Sequence, residues 1–107
     1  MPDRFVKVAH LSEVEPGRTK RVEVGHDEIL LANVNGQIYA CDDICSHSYA
    51  SLSEGDLYGT EVVCPLHGSV FDVITGEPKT PPAEENLRVF EVRIEGQDIL
   101  VGPEKKV

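Results

Sequence analysis

The chain has 107 residues, 40% of them hydrophobic and 27% charged, and 19 acidic against 10 basic side chains leave a net charge of −9. The length allows one domain, 1–107, around one modest core, and the composition excludes a disordered, collagenous or low-complexity chain. The acidic balance argues against nucleic acid and anionic membrane as partners, because both are gripped by a basic face.

Phe5 to Ala9 alternates as a short strand. Leu11 to Gly17 reads as a turn: Ser12 and Glu15 have capping-box spacing, but Pro16-Gly17 stops any helix. Thr19 to Val24 alternates, with Val22 and Val24 on one face and Arg21 and Glu23 on the other. After a turn at Gly25-His26-Asp27, Glu28 to Val34 is the most apolar run and is predicted to be a central strand. Asn35-Gly36 is a strong hairpin signal, since both residues tolerate positive φ, and Gln37 to Cys41 returns as the partner strand.

Asp42 to Tyr49 is predicted to be a loop, and Ala50 to Gly55 has no clear periodicity. Tyr58-Gly59 turns into a short strand at Glu61 to Val63, and Val70 to Val73 follows a second turn at His67-Gly68. Thr75 to Pro78 turns again, and Pro81-Pro82 cannot belong to a central strand. Leu87 to Ile94 alternates and turns through Glu95-Gly96-Gln97 into Asp98 to Val101, which leaves Glu104 to Lys106 as a solvated tail. Short strands, turns marked by Gly and Asn, and no amphipathic helix of useful length predict an all-β domain.

No apolar run approaches the roughly 20 residues needed to cross a bilayer. The first ten residues are charged at Asp3, Arg4 and Lys7 with no signal-type apolar segment, so a cytoplasmic location is expected. Three cysteines without a secretory signal argue against a disulfide framework and for metal ligation.

The candidate ligands form two pairs: Cys45-Ser46-His47 and, after sixteen intervening residues, Cys64-Pro65-Leu66-His67. Each pair falls on a turn beside a strand. Cys45 and His47 lie two apart, so in an extended segment they share a face. Pro65 fixes one φ angle, and Gly68 frees the backbone just past His67. Chance occurrence is a poor account of two such close pairs in a chain with three Cys and four His. Structural zinc is compatible with a Cys2His2 set, although zinc sites usually pair like with like. One Cys and one His on each arm suits a cluster to which both loops supply both ligand types. Cys41, in a strand, is read as a small buried hydrophobe, and His10 and His26 as surface residues.

This stretch, with the following Gly68-Ser69, Phe71-Asp72 and Thr75-Gly76, resembles the Rieske pattern C-x-H-x(15–17)-C-x-x-H. The similarity continues through Ser51-Leu52-Ser53-Glu54-Gly55, Pro81-Pro82 and the closing hairpin, over the whole length of a free-standing Rieske ferredoxin. It implies a small antiparallel β-sandwich with the cluster-binding loops at one end and one 2Fe–2S cluster. In the resemblance Cys45 and Cys64 bind the inner iron and His47 and His67 the outer one. Around them it places Ser69, Phe71, Gly68, Leu66 and Pro81, with Tyr49 and Leu52 as shielding and Pro81-Pro82 as a covering loop.

Rieske subunits of cytochrome complexes carry two further cysteines that staple the ligand loops. Ala50 and Leu66 stand at those positions here, so the staple is absent. Those subunits also direct a Ser and a Tyr hydroxyl at the cluster sulfurs; Ser69 matches the first, while Phe71 replaces the Tyr. A hydrogen bond to a charged acceptor is worth about 1.5–3 kcal/mol. At about 59 mV per 1.4 kcal/mol, its loss lowers the potential by roughly 60–130 mV. A potential near the bottom of the roughly −150 to +300 mV Rieske range is therefore expected.

The chain shows no nucleophile–base pair and no phosphate loop, and is too short for the mononuclear iron domain of a Rieske oxygenase. The resemblance implies a monomeric one-electron carrier rather than an enzyme. It would accept electrons from a flavin-containing ferredoxin reductase and pass them to a terminal oxygenase of the aromatic-ring dioxygenase type. Docking would be transient and electrostatic, steered by Asp42, Asp43, Glu54 and Asp56. The alternatives are the small Rieske subunit of an assimilatory nitrite reductase and a zinc-stabilised binding module.

Overall fold

The structure, a computed structural model, describes residues 5–45, 50–66, 68–80 and 85–105. Its strands are β1 (Val6–His10), β2 (Thr19–Val24), β3 (Asp27–Val34), β4 (Gln37–Asp42), β5 (Leu57–Tyr58), β6 (Glu61–Val63), β7 (Val70–Asp72), β8 (Val89–Glu95) and β9 (Asp98–Glu104). They form an antiparallel six-stranded sheet in the order β1-β9-β8-β4-β3-β2 and a three-stranded sheet in the order β5-β6-β7. The all-β expectation holds.

The β3–β4 hairpin is the centre of the larger sheet, paired from Ile29 with Asp42 to Val34 with Gln37. Its turn is Asn35-Gly36, both with positive φ (54° and 91°), the geometry whose twist matches that of the flanking strands. Residues Ile29 to Asn33 are buried without interruption, because β3 has a core on each face. Successive side chains point to opposite faces. Leu30 and Ala32 join Cys41, Val62, Phe71, Val73 and Val89 in the core shared with the small sheet. Ile29 and Leu31 join Val22, Ala40, Phe90, Ile99 and Val101 in the second core, inside the curl of the large sheet.

Three local expectations are corrected. Leu57–Tyr58 pairs with Val62 and Glu61 as strand β5, where a turn at Tyr58-Gly59 was expected; two residues are too short to show a period. Strand β9 continues past Val101 to Glu104, which pairs with Phe90 across an irregularity, so Glu104 belongs to the sheet. The first turn, Leu11–Glu13, is a 3-10 helix whose reciprocal partners are His10 and Glu13 in place of Ser12 and Glu15. Glu13 accepts the His10 backbone N–H at 3.1 Å, because the helix begins two residues earlier than the Ser12 spacing implies.

Candidate metal centre

Both cysteine arms are built on one plan. Strand β4 ends at Asp42, and the chain leaves the sheet through Asp43 and Ile44 to Cys45. The Cys45 N–H donates to the Ala50 carbonyl at 2.8 Å, five residues on, and an isolated bridge joins Ile44 to Ser51. In the second arm β6 pairs with β7 up to Val63 and Val70. The Cys64 N–H then donates to the Ser69 carbonyl at 2.7 Å, again five residues on. Gly68 closes the turn with φ 75°, a conformation that side chains rarely adopt, and its N–H bonds the Cys64 carbonyl at 3.0 Å. Cys45 and Cys64 are buried in the same core, between the two sheets.

Ser69 is fully buried, and its Oγ has no hydrogen-bond partner among the described residues. A buried hydroxyl left in that state costs about 1–3 kcal/mol. Two buried thiols in one core with an unanswered hydroxyl beside the second are a donor set that suits an iron–sulfur group, whose sulfurs accept such a bond. Phe71 is also fully buried, on β7 two residues beyond Ser69, and presents no hydroxyl. Leu52 is fully buried in the core that holds the two cysteines, as expected of a shielding residue. Leu66 is different: it is 60% exposed and faces away from the core. His47, His67, Tyr49, Pro81 and Pro82 lie outside the described residues.

Cys41 is fully buried on β4 within the same core, opposite Leu30 and Val89. Burial pushes its thiol well above the usual range, with the nearby carboxylates of Asp42 and Asp43 acting in the same direction. Its reading as a small hydrophobe stands. His26 is exposed, whereas His10 is half-buried and contacts the Ser12 hydroxyl through Nδ1 at 3.3 Å.

Two of the four acids expected to steer docking are engaged elsewhere. Asp42 is held by Arg88, which donates through Nη2 at 2.8 Å and through Nε at 3.1 Å. Arg88 also reaches Asp27 at 3.0 Å, and these bonds raise its pKa. Asp43 is fully buried: one carboxylate oxygen accepts the Ser51 hydroxyl at 2.5 Å and the other the Ser53 N–H at 2.8 Å. Nothing in the run Asp42-Asp43 distinguishes these two from surface acids, because both contacts are made by the fold. Glu54 and Asp56 remain exposed beside the first arm.

Comparison with known proteins follows the same lines. The family model described as Rieske [2Fe-2S] domain matches residues 4–91. The chain is 42% identical over 103 residues to ferredoxin CarAc of Metapseudomonas resinovorans, covering 95% of this chain and 96% of that one. It is 43% identical over 98 residues to the biphenyl dioxygenase ferredoxin subunit of Pseudomonas sp. strain KKS102, covering 91% and 90%. Among solved structures, a complex of reduced oxygenase and oxidised ferredoxin in carbazole 1,9a-dioxygenase matches with a TM-score of 0.89 and 41% identity, over 96% of each chain. The chain therefore belongs to the Rieske 2Fe–2S family, with a 2Fe–2S cluster as its cofactor.

Proposed function

We propose that this protein is a cytoplasmic one-electron carrier that passes electrons from a flavin-containing ferredoxin reductase to a terminal oxygenase of the aromatic-ring dioxygenase type. The observation that carries the reading is the repeated arm: each cysteine closes its own loop through its N–H, and both thiols enter one buried core. Cys45 and Cys64 hold the inner iron, and His47 and His67 the outer one. When bound, the cluster would supply reversible one-electron chemistry, with the two thiols that hold it buried in the core. The relatives at 42% and 43% identity are a ferredoxin and a dioxygenase ferredoxin subunit, and this supports a carrier over a catalyst.

This chain's own part is to hold the centre and present it. Leu52 and Phe71 fill the space behind the cysteines and keep water away from them. Ser69 offers a hydroxyl donor from within the core. Leu66, two residues after Cys64, supplies exposed apolar surface on the second arm, while Glu54 and Asp56 supply charge. A small apolar contact with an acidic margin suits brief docking to a basic partner.

The test is the electron paramagnetic resonance spectrum of the dithionite-reduced protein, with iron and zinc counted on the same sample. A rhombic signal of low average g from two irons per chain is expected. A colourless protein holding zinc would overturn the reading, and stable co-purification with a large sirohaem protein would replace the shuttle by a fixed subunit.

A further inference from the structure

Asp43 is a fully buried acid that the electron-carrier reading leaves without a role. It lies two residues before Cys45, where the first arm leaves the sheet. Its backbone is held on both sides: its N–H donates to the Glu28 carbonyl at 3.0 Å, and its carbonyl accepts the Leu52 N–H at 2.7 Å. Its two carboxylate oxygens face a hydroxyl and a backbone N–H, and the Arg21 guanidinium stands 3.8 Å away. These surroundings are all donors and suit an anion. The Ser51 hydroxyl that contacts Asp43 also lies 2.9 Å from the Ser53 hydroxyl, so the acid ends a short polar chain across the base of the loop.

Arg21, the neighbouring cation among the described residues, does not cancel this charge. Arg21 is 42% exposed in its side chain and is shared with Glu23 at 2.9 Å and Glu28 at 2.8 Å, so three carboxylates meet one guanidinium. Exposed charges are screened by solvent and salt, whereas a buried one acts through a medium of lower dielectric. Reduction of a neighbouring centre adds one negative charge, which a buried anion disfavours.

We propose that the buried Asp43 carboxylate is a fixed anion that sets the reduction potential of the adjacent centre, holding it below the value the ligands alone would give. The proposal rests on the electron-carrier reading. It assigns to an interior acid an effect that the acids of the surface cannot have at physiological salt.

The experiment is a redox titration of the iron-loaded protein as wild type, Asp43→Asn and Glu54→Gln, at low and at high salt, with the reduced spectrum recorded for each. Asp43→Asn keeps the shape and can still accept the Ser53 N–H. It is expected to retain full iron and wild-type g values while its midpoint rises enough to change the oxidised-to-reduced ratio tenfold at fixed poise, about 59 mV for one electron. That rise persists at high salt, whereas any shift in Glu54→Gln fades. An unchanged midpoint in iron-loaded Asp43→Asn, or a shift that high salt abolishes, would overturn the proposal while leaving the carrier reading intact. Failure of the wild type to bind iron would instead remove the carrier reading itself. Should Asp43→Asn not fold, Asp43→Ser, which is smaller and carries a hydroxyl, serves in its place at high salt: a midpoint above wild type is expected, and an unchanged one overturns the proposal.

Discussion

Gly55 lies directly against the carbonyl of Val63, with no room between them for a Cβ, and Pro65 closes the space from the other side. The contact joins the end of the Ser51–Gly55 turn, which follows the first cysteine arm, to the residue before Cys64. Gly55 has an ordinary extended φ, so the restriction there is one of space alone. Gly55→Ala is expected to force the arms apart at a cost of about 1–3 kcal/mol, the range for overpacking. Thermal unfolding should show a Tm at least ~4 °C below wild type, together with a lower iron content per chain; an unchanged Tm would remove the wedge as an organiser of the arms.

Ser69 and Phe71 give opposite predictions about the same quantity. Ser69→Ala removes a buried hydroxyl that has no answering group among the described residues. If that hydroxyl bonds a cluster sulfur, its loss lowers the midpoint by roughly 60–130 mV, the equivalent of 1.5–3 kcal/mol. Phe71→Tyr adds a hydroxyl two residues further along and should raise the midpoint by a similar amount. Cyclic voltammetry on the two variants separates these outcomes. A Ser69→Ala protein of higher thermal stability with an unchanged midpoint would show the hydroxyl to be unused.

Cys41 should behave as part of the core. Because burial raises its pKa, the native protein at pH 8 carries it as a neutral thiol, and iodoacetamide should leave it unlabelled until the chain unfolds. The same shift ties stability to pH. The unfolded thiol ionises near 8.5, and the folded one resists ionisation. The contribution is therefore complete below about 8.5 and is lost as pH rises beyond it. Cys41→Ala should flatten that alkaline decline in Tm and leave the iron count unchanged.

Glu54 and Asp56 are the acids of the four left exposed once Asp42 and Asp43 are engaged within the fold, with Asp56 accepting the Tyr58 hydroxyl at 3.3 Å. Neutralising both, Glu54→Gln with Asp56→Asn, should slow reduction by a flavin-containing ferredoxin reductase several-fold at low ionic strength. In stopped-flow measurements the difference should vanish near 1 M salt, where the Debye length is about 3 Å. A rate unaffected at low salt would move the docking face elsewhere.

The features legible in the sequence were those governed by local rules. Asn35-Gly36 announces its hairpin because few other residue pairs accept two positive φ angles, and the apolar run of β3 announces a strand covered on both faces. The cysteines announce themselves by pairing with histidines at short intervals. What was hidden depends on neighbours far along the chain. Asp43 reads as a surface acid until Ser51 and Ser53 fold over it, and Gly55 reads as a turn residue until Val63 arrives against it. Leu57–Tyr58 becomes a strand only because β6 lies alongside. Leu66 stands out as apolar in sequence, yet the turn that carries it leaves it exposed on the second arm.

The closure of each cysteine loop by its own N–H has a consequence for which positions are free to vary. Those bonds are made by backbone alone, at Cys45 with Ala50 and at Cys64 with Ser69. They therefore do not depend on which side chains the loops carry. A substitution between the closing groups leaves both bonds in place, so the surface each loop offers to a partner can change while the two sulfurs keep their seats in the core.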